Sequence, residues 1–215
     1  TIYHCNEVHG HLVRFTPGGD EPVFTRMVSV INEKRKKVLD DPHRAILTLS
    51  AGDDCIGTVF DELMDRSIEP DPVHASYRLY SSAGVDCSVL GNHDFDMGIK
   101  VLRNSILNDA RFPILAANLA DSPTLQGIYF PAALMVIKGI RVGIIGLGTS
   151  AEYKVSKQES RIYNPIQTTL NILPAIRPLC DVVILLTHLG YSLAATSAIT
   201  AEAGDMELAQ GLPYA

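Results

Sequence analysis

The segment Val182-Val183-Ile184-Leu185-Leu186 is apolar at five consecutive positions. A strand sends alternate side chains to opposite faces, so a run of this kind needs cover on both sides. It is one of six short β-type blocks, the others being Thr1–Cys5, Ala45–Ser50, Cys87–Leu90, Ile114–Ala117 and Arg141–Leu147. Helical patterns lie between them. Glu21–Leu39 sets Val23, Met27, Val30 and Ile31 at helical spacing, with Asp20 as the expected N-cap and Pro22 in the first turn. Pro72–Gly84 and Met97–Asn108 also read as helices, as does Pro165–Leu179 up to its interruptions at Pro174 and Pro178. Tyr129–Val136 and Arg141–Ile145 predict a hairpin turning at Lys138-Gly139. Strands separated by helices predict an α/β fold rich in βαβ units, with an antiparallel hairpin late in the chain.

Composition narrows the function classes. With 215 residues, 47% of them apolar and 20% charged, the chain can bury a sizeable core as one domain, or at most one and a half. The net charge of −6 removes any global basic face, so binding to a nucleic-acid duplex is not expected. The charge run Glu33-Lys34-Arg35-Lys36-Lys37 falls near a helix C-terminus and predicts a solvated, dipole-compatible face. No apolar run reaches the ~18 residues that a membrane-spanning helix needs. Cys5, Cys55, Cys87 and Cys180 are scattered without a CxxC pair, which argues against a zinc ribbon or a dense disulfide scaffold. Glu69-Pro70-Asp71-Pro72 reads as a surface connection, and residues after Ala201 give no clear final strand.

The polar residues that carry chemistry follow the predicted strands. Thr1–Cys5 leads into Asn6-Glu7-Val8-His9-Gly10-His11, Ala45–Ser50 into Gly52-Asp53-Asp54, and Cys87–Leu90 into Gly91-Asn92-His93-Asp94-Phe95-Asp96. Asn118 follows Ile114–Ala117, and His188 follows Val182–Thr187. The C-terminal edge of strands is where open α/β sheets bind ligands. Imidazole nitrogen with carboxylate and carboxamide oxygen suits Mn, Fe, Zn, Ni or Co. One carboxylate such as Asp53 could place an oxygen on each of two cations ~3.5–4 Å apart. Gly52 and Gly91 would let the backbone turn off the strand beside these ligands. Singly, each residue has a plainer reading: His9 or His11 as a loop histidine, Asp53 as a helix cap, His188 as a buried hydrogen-bonded histidine, Asn118 as a turn former. The hexapeptide Gly91–Asp96 is harder to explain by packing, and it weighs for a shared site.

In their order along the chain these segments resemble the N-terminal catalytic domain of the 5′-nucleotidase branch of the calcineurin-like metallophosphoesterases. The segments concerned are Asn6–His11, Ala51-Gly52-Asp53, Gly91–Asp96, Ala117-Asn118-Leu119 and Thr187-His188-Leu189-Gly190, so the likeness spans Thr1 to about Gly190. The resemblance implies layered β-sheets flanked by helices, with the active site at the strand C-terminal ends. It implies metal ligation by Glu7, His9, Asp53 as the bridging carboxylate, Asn92 and His188. It further implies that His93 stabilises the transferring phosphoryl group or leaving oxygen, and that Asp96 is its carboxylate partner. Asp94 takes the place of a Glu common in the motif and is not expected to touch metal. Glu7 stands where the family has Asp, one methylene shorter.

The implied activity is metal-dependent hydrolysis of a phosphate ester, by a hydroxide between two divalent cations (Mn, Zn, Fe, Co or Ni). The implied substrate is a small phosphorylated molecule, a nucleoside monophosphate or a 2′,3′-cyclic nucleotide. Two alternatives stay open, a degenerate non-catalytic module and a thiosulfohydrolase-like hydrolase of sulfur esters. The family's later Gly-His-x-His or Gly-His-x-Gln segment does not occur before Ala215, nor does its C-terminal substrate-binding domain, so residues 1–215 are expected to be a catalytic domain truncated at its C-terminal end. The resemblance favours a periplasmic or extracellular location, with any targeting segment before Thr1 already removed.

Overall fold

The structure, a computed structural model, describes residues 1–55, 57–62, 64–65, 67, 72–120, 122–149, 161–191 and 203–213. In chain order the strands are β1 (Ile2–Cys5), β2 (Leu47–Ser50), β3 (Met64–Asp65), β4 (Val73–His74), β5 (Cys87–Val89), β6 (Ile114–Leu115), β7 (Leu119–Ala120), β8 (Ala132–Ile137), β9 (Ile140–Gly148), β10 (Arg161–Ile162) and β11 (Val182–His188). The helices are α1 (Val23–Lys37), α2 (Ser76–Ala83), α3 (Ile99–Asp109), α4 (Pro165–Ile176) and α5 (Asp205–Gly211).

Two main sheets form. The first is all parallel in the order β1-β2-β5-β6; the second runs β11-β9-β8, with β11 parallel and β8 antiparallel to β9. They face each other through Leu47, Leu49, Cys87, Val89 and Leu115 on one side and Met135, Val142, Ile144, Ile184 and Leu186 on the other. The neighbouring positions point outward, so Ile145, Leu147, Val183 and Leu185 pack with Ile166, Ile172, Leu173 and Ile176 of α4. That is the double cover demanded by the run Val182–Leu186. On the far side Tyr77 and Tyr80 of α2 and Leu102 and Ile106 of α3 pack with Leu90, Ile114 and Ala116. The layers are therefore helix, sheet, sheet, helix. Full burial of each such Leu or Ile contributes on the order of 2 kcal/mol. Gly146 sets the closest approach of the sheets, because a Cβ there would run into the side chain of Leu115.

The hairpin follows its sequence signal. Ile137 pairs with Ile140 across a two-residue loop, in which Lys138 (φ 49°) and Gly139 (φ 84°) both take positive φ, as a type I′ turn requires. The turn also projects the Lys138 ammonium onto the carbonyls of Val38, Leu39 and Asp41 at 3.1, 2.9 and 2.5 Å. A cation there complements the C-terminal end of α1.

Several expectations need correction. Helix α1 begins at Val23 rather than Glu21, with Pro22 in the cap position and no side-chain cap from Asp20, because Glu21 is held in a β-bridge to Arg14. Pro72–Gly84 is not one helix. Val73 and His74 pair with Asp65 and Met64 as a short strand, the His74 amide donates to Ser105 Oγ at 2.8 Å, and the helix starts at Ser76. The basic run is not uniformly solvated. Arg35 turns inward to donate to Thr48 Oγ1 (2.9 Å), Asp86 Oδ2 (3.1 Å) and the carbonyl of Gly84, tying α1 to the end of α2. Gly84 takes the left-handed cap of α2 (φ 72°), and a side chain there would collide with the Arg35 guanidinium. Past Ala201 the chain forms α5, which buries Leu208 beside the α4 residue Ile166. The proposed surface connection at 69–71 lies outside the described residues. Among the described residues no helix is long and apolar enough to cross a membrane.

Candidate active site

The loops leaving β1, β2 and β5 and the end of β11 converge at one rim of the sandwich. Their backbones are held in unusual conformations. Among the described residues four that are not glycine have positive φ, and three are Glu7 (54°), His9 (47°) and Asp53 (56°). The left-handed region costs an L-residue about 1–2 kcal/mol, so surrounding contacts must hold these three in place. Backbone pairing does part of it: the Glu7 amide donates to the Gly52 carbonyl at 3.2 Å, and the His9 amide to the Asp53 carbonyl at 2.9 Å.

The side chains that result form one cluster. His9 Nε2 lies 2.9 Å from Glu7 Oε2 and 3.6 Å from Asp53 Oδ2. His188 Nε2 lies 3.2 Å from Asp53 Oδ2, 3.2 Å from Asn92 Oδ1 and 3.4 Å from Glu7 Oε1. Glu7 thus points into the cluster despite its longer arm. Its ligand atom and those of Asp53 and His188 lie within 4.8 Å of one another. The other ring nitrogen of His188 is 2.7 Å from the Ala51 carbonyl. A carbonyl accepts only, so Nδ1 carries a proton and Nε2 is the atom turned to the oxygens.

Around this cluster the two aspartate-bearing loops brace each other. Asp53 Oδ1 accepts from the His93 amide at 2.8 Å, leaving Oδ2 for His9 and His188. Asp94, buried beneath, accepts from the amides of Gly91 (2.8 Å), Asp54 (3.1 Å) and Asp53 (3.2 Å). Asp54 is buried too and accepts from Ser50 Oγ at 2.6 Å and Ser88 Oγ at 3.2 Å. The loops touch at Gly52 and Gly91: a Cβ on Gly52 would meet the Gly91 nitrogen at 2.7 Å, and one on Gly91 would enter the Asp53 carboxylate. His93 stands beside the cluster, its ring 5.2 Å from that of His9 and its Nδ1 2.8 Å from Asp96 Oδ2.

Electrostatics follow from this packing. Burial alone would raise the Asp53 carboxyl, but the hydrogen bond and charge of His188 bring it below its ordinary value. Burial likewise disfavours a charged His188, yet Asp53 more than reverses this and lifts the imidazole to about 9. Asp94 is pushed up to about 7 by burial and by the neighbouring charges of Asp54 and Asp53. Burial also raises Asp54.

The donor set fits a divalent cation. His188 Nε2 faces three oxygens, more than one N–H can serve. Ligand atoms bound at ~2.0–2.2 Å to a common ion sit roughly 3–3.5 Å apart, which matches the spacings here.

Of the sequence-predicted residues, Glu7, His9, Asp53, Asn92 and His188 are brought into contact, with His93 and Asp96 alongside. Asn118 is not part of the cluster. Its amide nitrogen donates to Gly148 O (2.7 Å) and Tyr163 O (3.2 Å) and its oxygen accepts from the Gly148 amide (2.9 Å), so it stitches the ends of neighbouring strands. His11 is exposed on its loop. Sequence reasoning missed the roles of Ser50, Ser88 and the Ala51 carbonyl. Ser50 and Ser88 each stand on a strand face opposite a buried leucine or valine, a signal for a polar group beneath. The Ala51 carbonyl leaves no mark in residue identity.

No protein-family model matches the sequence. UshA of Yersinia enterocolitica is 30% identical over 219 residues, covering 99% of this chain and 38% of that protein. Among solved structures, a 5′-nucleotidase precursor from Thermus thermophilus superposes with a TM-score of 0.70 at 27% identity, covering 88% of this chain and 37% of the other. The calcineurin-like phosphoesterase YfkN of Bacillus subtilis shares the fold, with a TM-score of 0.75 at 18% identity, covering 99% of this chain and 68% of its own. The stacked sheets are those of a phosphoesterase fold, with the cluster at their strand ends. By sequence the chain is similar to 5′-nucleotidases over nearly its whole length, and its fold is that of the calcineurin-like phosphoesterases. It spans 38% of the length of its Yersinia relative.

Proposed function

We propose that this chain carries the catalytic site of a metal-dependent phosphoester hydrolase acting on nucleotides, with nucleoside monophosphates as the first substrate class. The observation that supports it most is the convergence of Glu7, His9, Asp53, Asn92 and His188 on spacings that suit shared cations. On this reading these residues would hold the divalent cations, with Asp53 reached from both His9 and His188. Such ions supply water activated near neutral pH and polarise phosphoryl oxygens.

The chain's own groups do the rest. Asp96 holds His93 through Nδ1, which leaves Nε2 for the phosphoryl or leaving oxygen, where a positioned donor stabilises charge that grows in the transition state. The Ala51 carbonyl fixes the tautomer of His188, and the brace between the Asp53 and Asp94 loops fixes the carboxylate. The net charge of −6 opposes an anionic substrate at long range, so attraction must be local to the cations.

The test is Mn²⁺ content by elemental analysis together with phosphate release from AMP and from bis(p-nitrophenyl) phosphate. Two metals per chain, lost in Asp53→Asn, with release from AMP support the reading. Release from the diester alone moves the substrate class to cyclic nucleotides. A folded chain that releases no phosphate, with or without Mn²⁺ uptake, overturns it.

A further inference from the structure

Asp94 lies beneath the site, 3% exposed. Its carboxylate nevertheless gathers three backbone N–H groups from two loops: Asp53 and Asp54 after β2, and Gly91 after β5. The Asp53 amide belongs to a residue with φ 56°, a conformation that relaxes unless something holds it. In return, Asp53 Oδ1 accepts from the His93 amide on the Asp94 loop. Each loop's carboxylate thus caps the other loop's backbone. One Asp53 oxygen is committed to this brace and the other is left facing His9 and His188.

From this we infer that Asp94 is a positioning residue: it sets the left-handed turn at Asp53 and so decides which carboxylate oxygen is presented to a cation. The inference rests on the reading of Asp53 as a metal ligand. An Asn at position 94 keeps the size but replaces one acceptor oxygen with a donor, which must then face an amide N–H. In place of Oδ1 it opposes the Asp54 amide, and in place of Oδ2 it opposes those of both Asp53 and Gly91. Either way the brace beneath the Asp53 turn is weakened.

The test compares Mn²⁺ affinity, by electron paramagnetic resonance of the free ion, in the parent chain, in Asp94→Asn and in Ile106→Val, a core control distant from the site. Loss of an outer partner of a ligand typically weakens metal binding about 10- to 100-fold, and that is the expected effect of Asp94→Asn, with Ile106→Val unchanged. Amide exchange in the parent gives a second measure that needs no variant to fold, since the amides of Asp53, Asp54 and Gly91 should be protected although they lie in loops. The inference is overturned if Asp94→Asn binds Mn²⁺ like the parent, if Ile106→Val weakens binding as much, or if the three amides exchange at exposed-loop rates. Equal affinities would leave the hydrolase reading standing. A parent that binds Mn²⁺ but releases no phosphate would sink that reading and leave Asp94 to the affinity comparison.

Discussion

Asp53 Oδ2 and His188 Nε2 lie 3.2 Å apart, and each holds the other in its charged form. The carboxyl is lowered and the imidazole raised to about 9, both against the pull of burial.

This pairing sets a pH dependence. In the cation-free chain the folded His188 titrates at about 9, against an ordinary 6.5. Its stabilising contribution is therefore full below about 6.5 and is lost as pH rises through about 9. The melting temperature of chelator-treated protein should fall across that window, and His188→Gln should flatten the decline. A bound cation needs the neutral imidazole, so binding must expel a proton and weaken toward lower pH. Calorimetric titration with Mn²⁺ in two buffers of different ionisation enthalpy reads that proton, and heats independent of buffer at pH 7.5 would refute the pairing.

His93 and Asp96 should separate turnover from metal binding. Removing one preorganised donor to a developing oxyanion typically costs about 100- to 1,000-fold in kcat. His93→Asn should lose activity on that scale while its Mn²⁺ content matches the parent. Asp96→Asn should lose less, because the ring remains but its orientation is no longer fixed. If His93→Asn strips the metal instead, His93 belongs among the ligands.

Gly91→Ala tests the contact between the loops. Gly91 is not among the residues with positive φ, so alanine brings no backbone strain there. The added methyl meets the Asp53 nitrogen at 2.7 Å and the carboxylate itself. Expected is a folded chain with Mn²⁺ affinity reduced by about tenfold or more, read by equilibrium dialysis. Unchanged affinity would mean that the loop shifts at no cost to Asp53.

Gly146→Ala addresses the seam between the sheets. Its methyl would overlap Leu115, which is fully buried. Overpacking of this kind costs about 1–3 kcal/mol, and urea denaturation should give a lower midpoint with a similar slope. An unchanged midpoint would show that the sheets separate freely at that point.

Much of this was legible beforehand, for reasons particular to each residue. Val182–Leu186 announced a two-faced strand because five apolar side chains in succession admit little else. Lys138-Gly139 announced its turn because two positive φ angles favour such residues. The residues of the cluster were legible because His, Asp and Asn recur immediately after apolar runs. What stayed hidden depends on distant partners. Arg35 looks like its solvated neighbours until Gly84 and Thr48 arrive from elsewhere in the chain to receive it. His74 joins a strand because Met64 is there to pair with it, against a local pattern that reads as helix. Asn118 shares the residue type and strand-end position of a ligand, yet Gly148 and Tyr163 claim its amide. The division of the strands into two sheets is likewise invisible locally, since β9 and β11 carry the same apolar pattern as strands of the first sheet.

The cluster does not belong to one sheet. Glu7, His9, Asp53 and Asn92 hang from the first, and His188 alone comes from the second. The site is thus a mechanical joint as well as a chemical one. Any sliding of one sheet across the other is felt there as a displacement of the His188 ring from four anchored groups. A cation seated among them would act as a rivet through the sandwich, binding the two sheets at the rim as Leu115 and Gly146 fit them together at the seam.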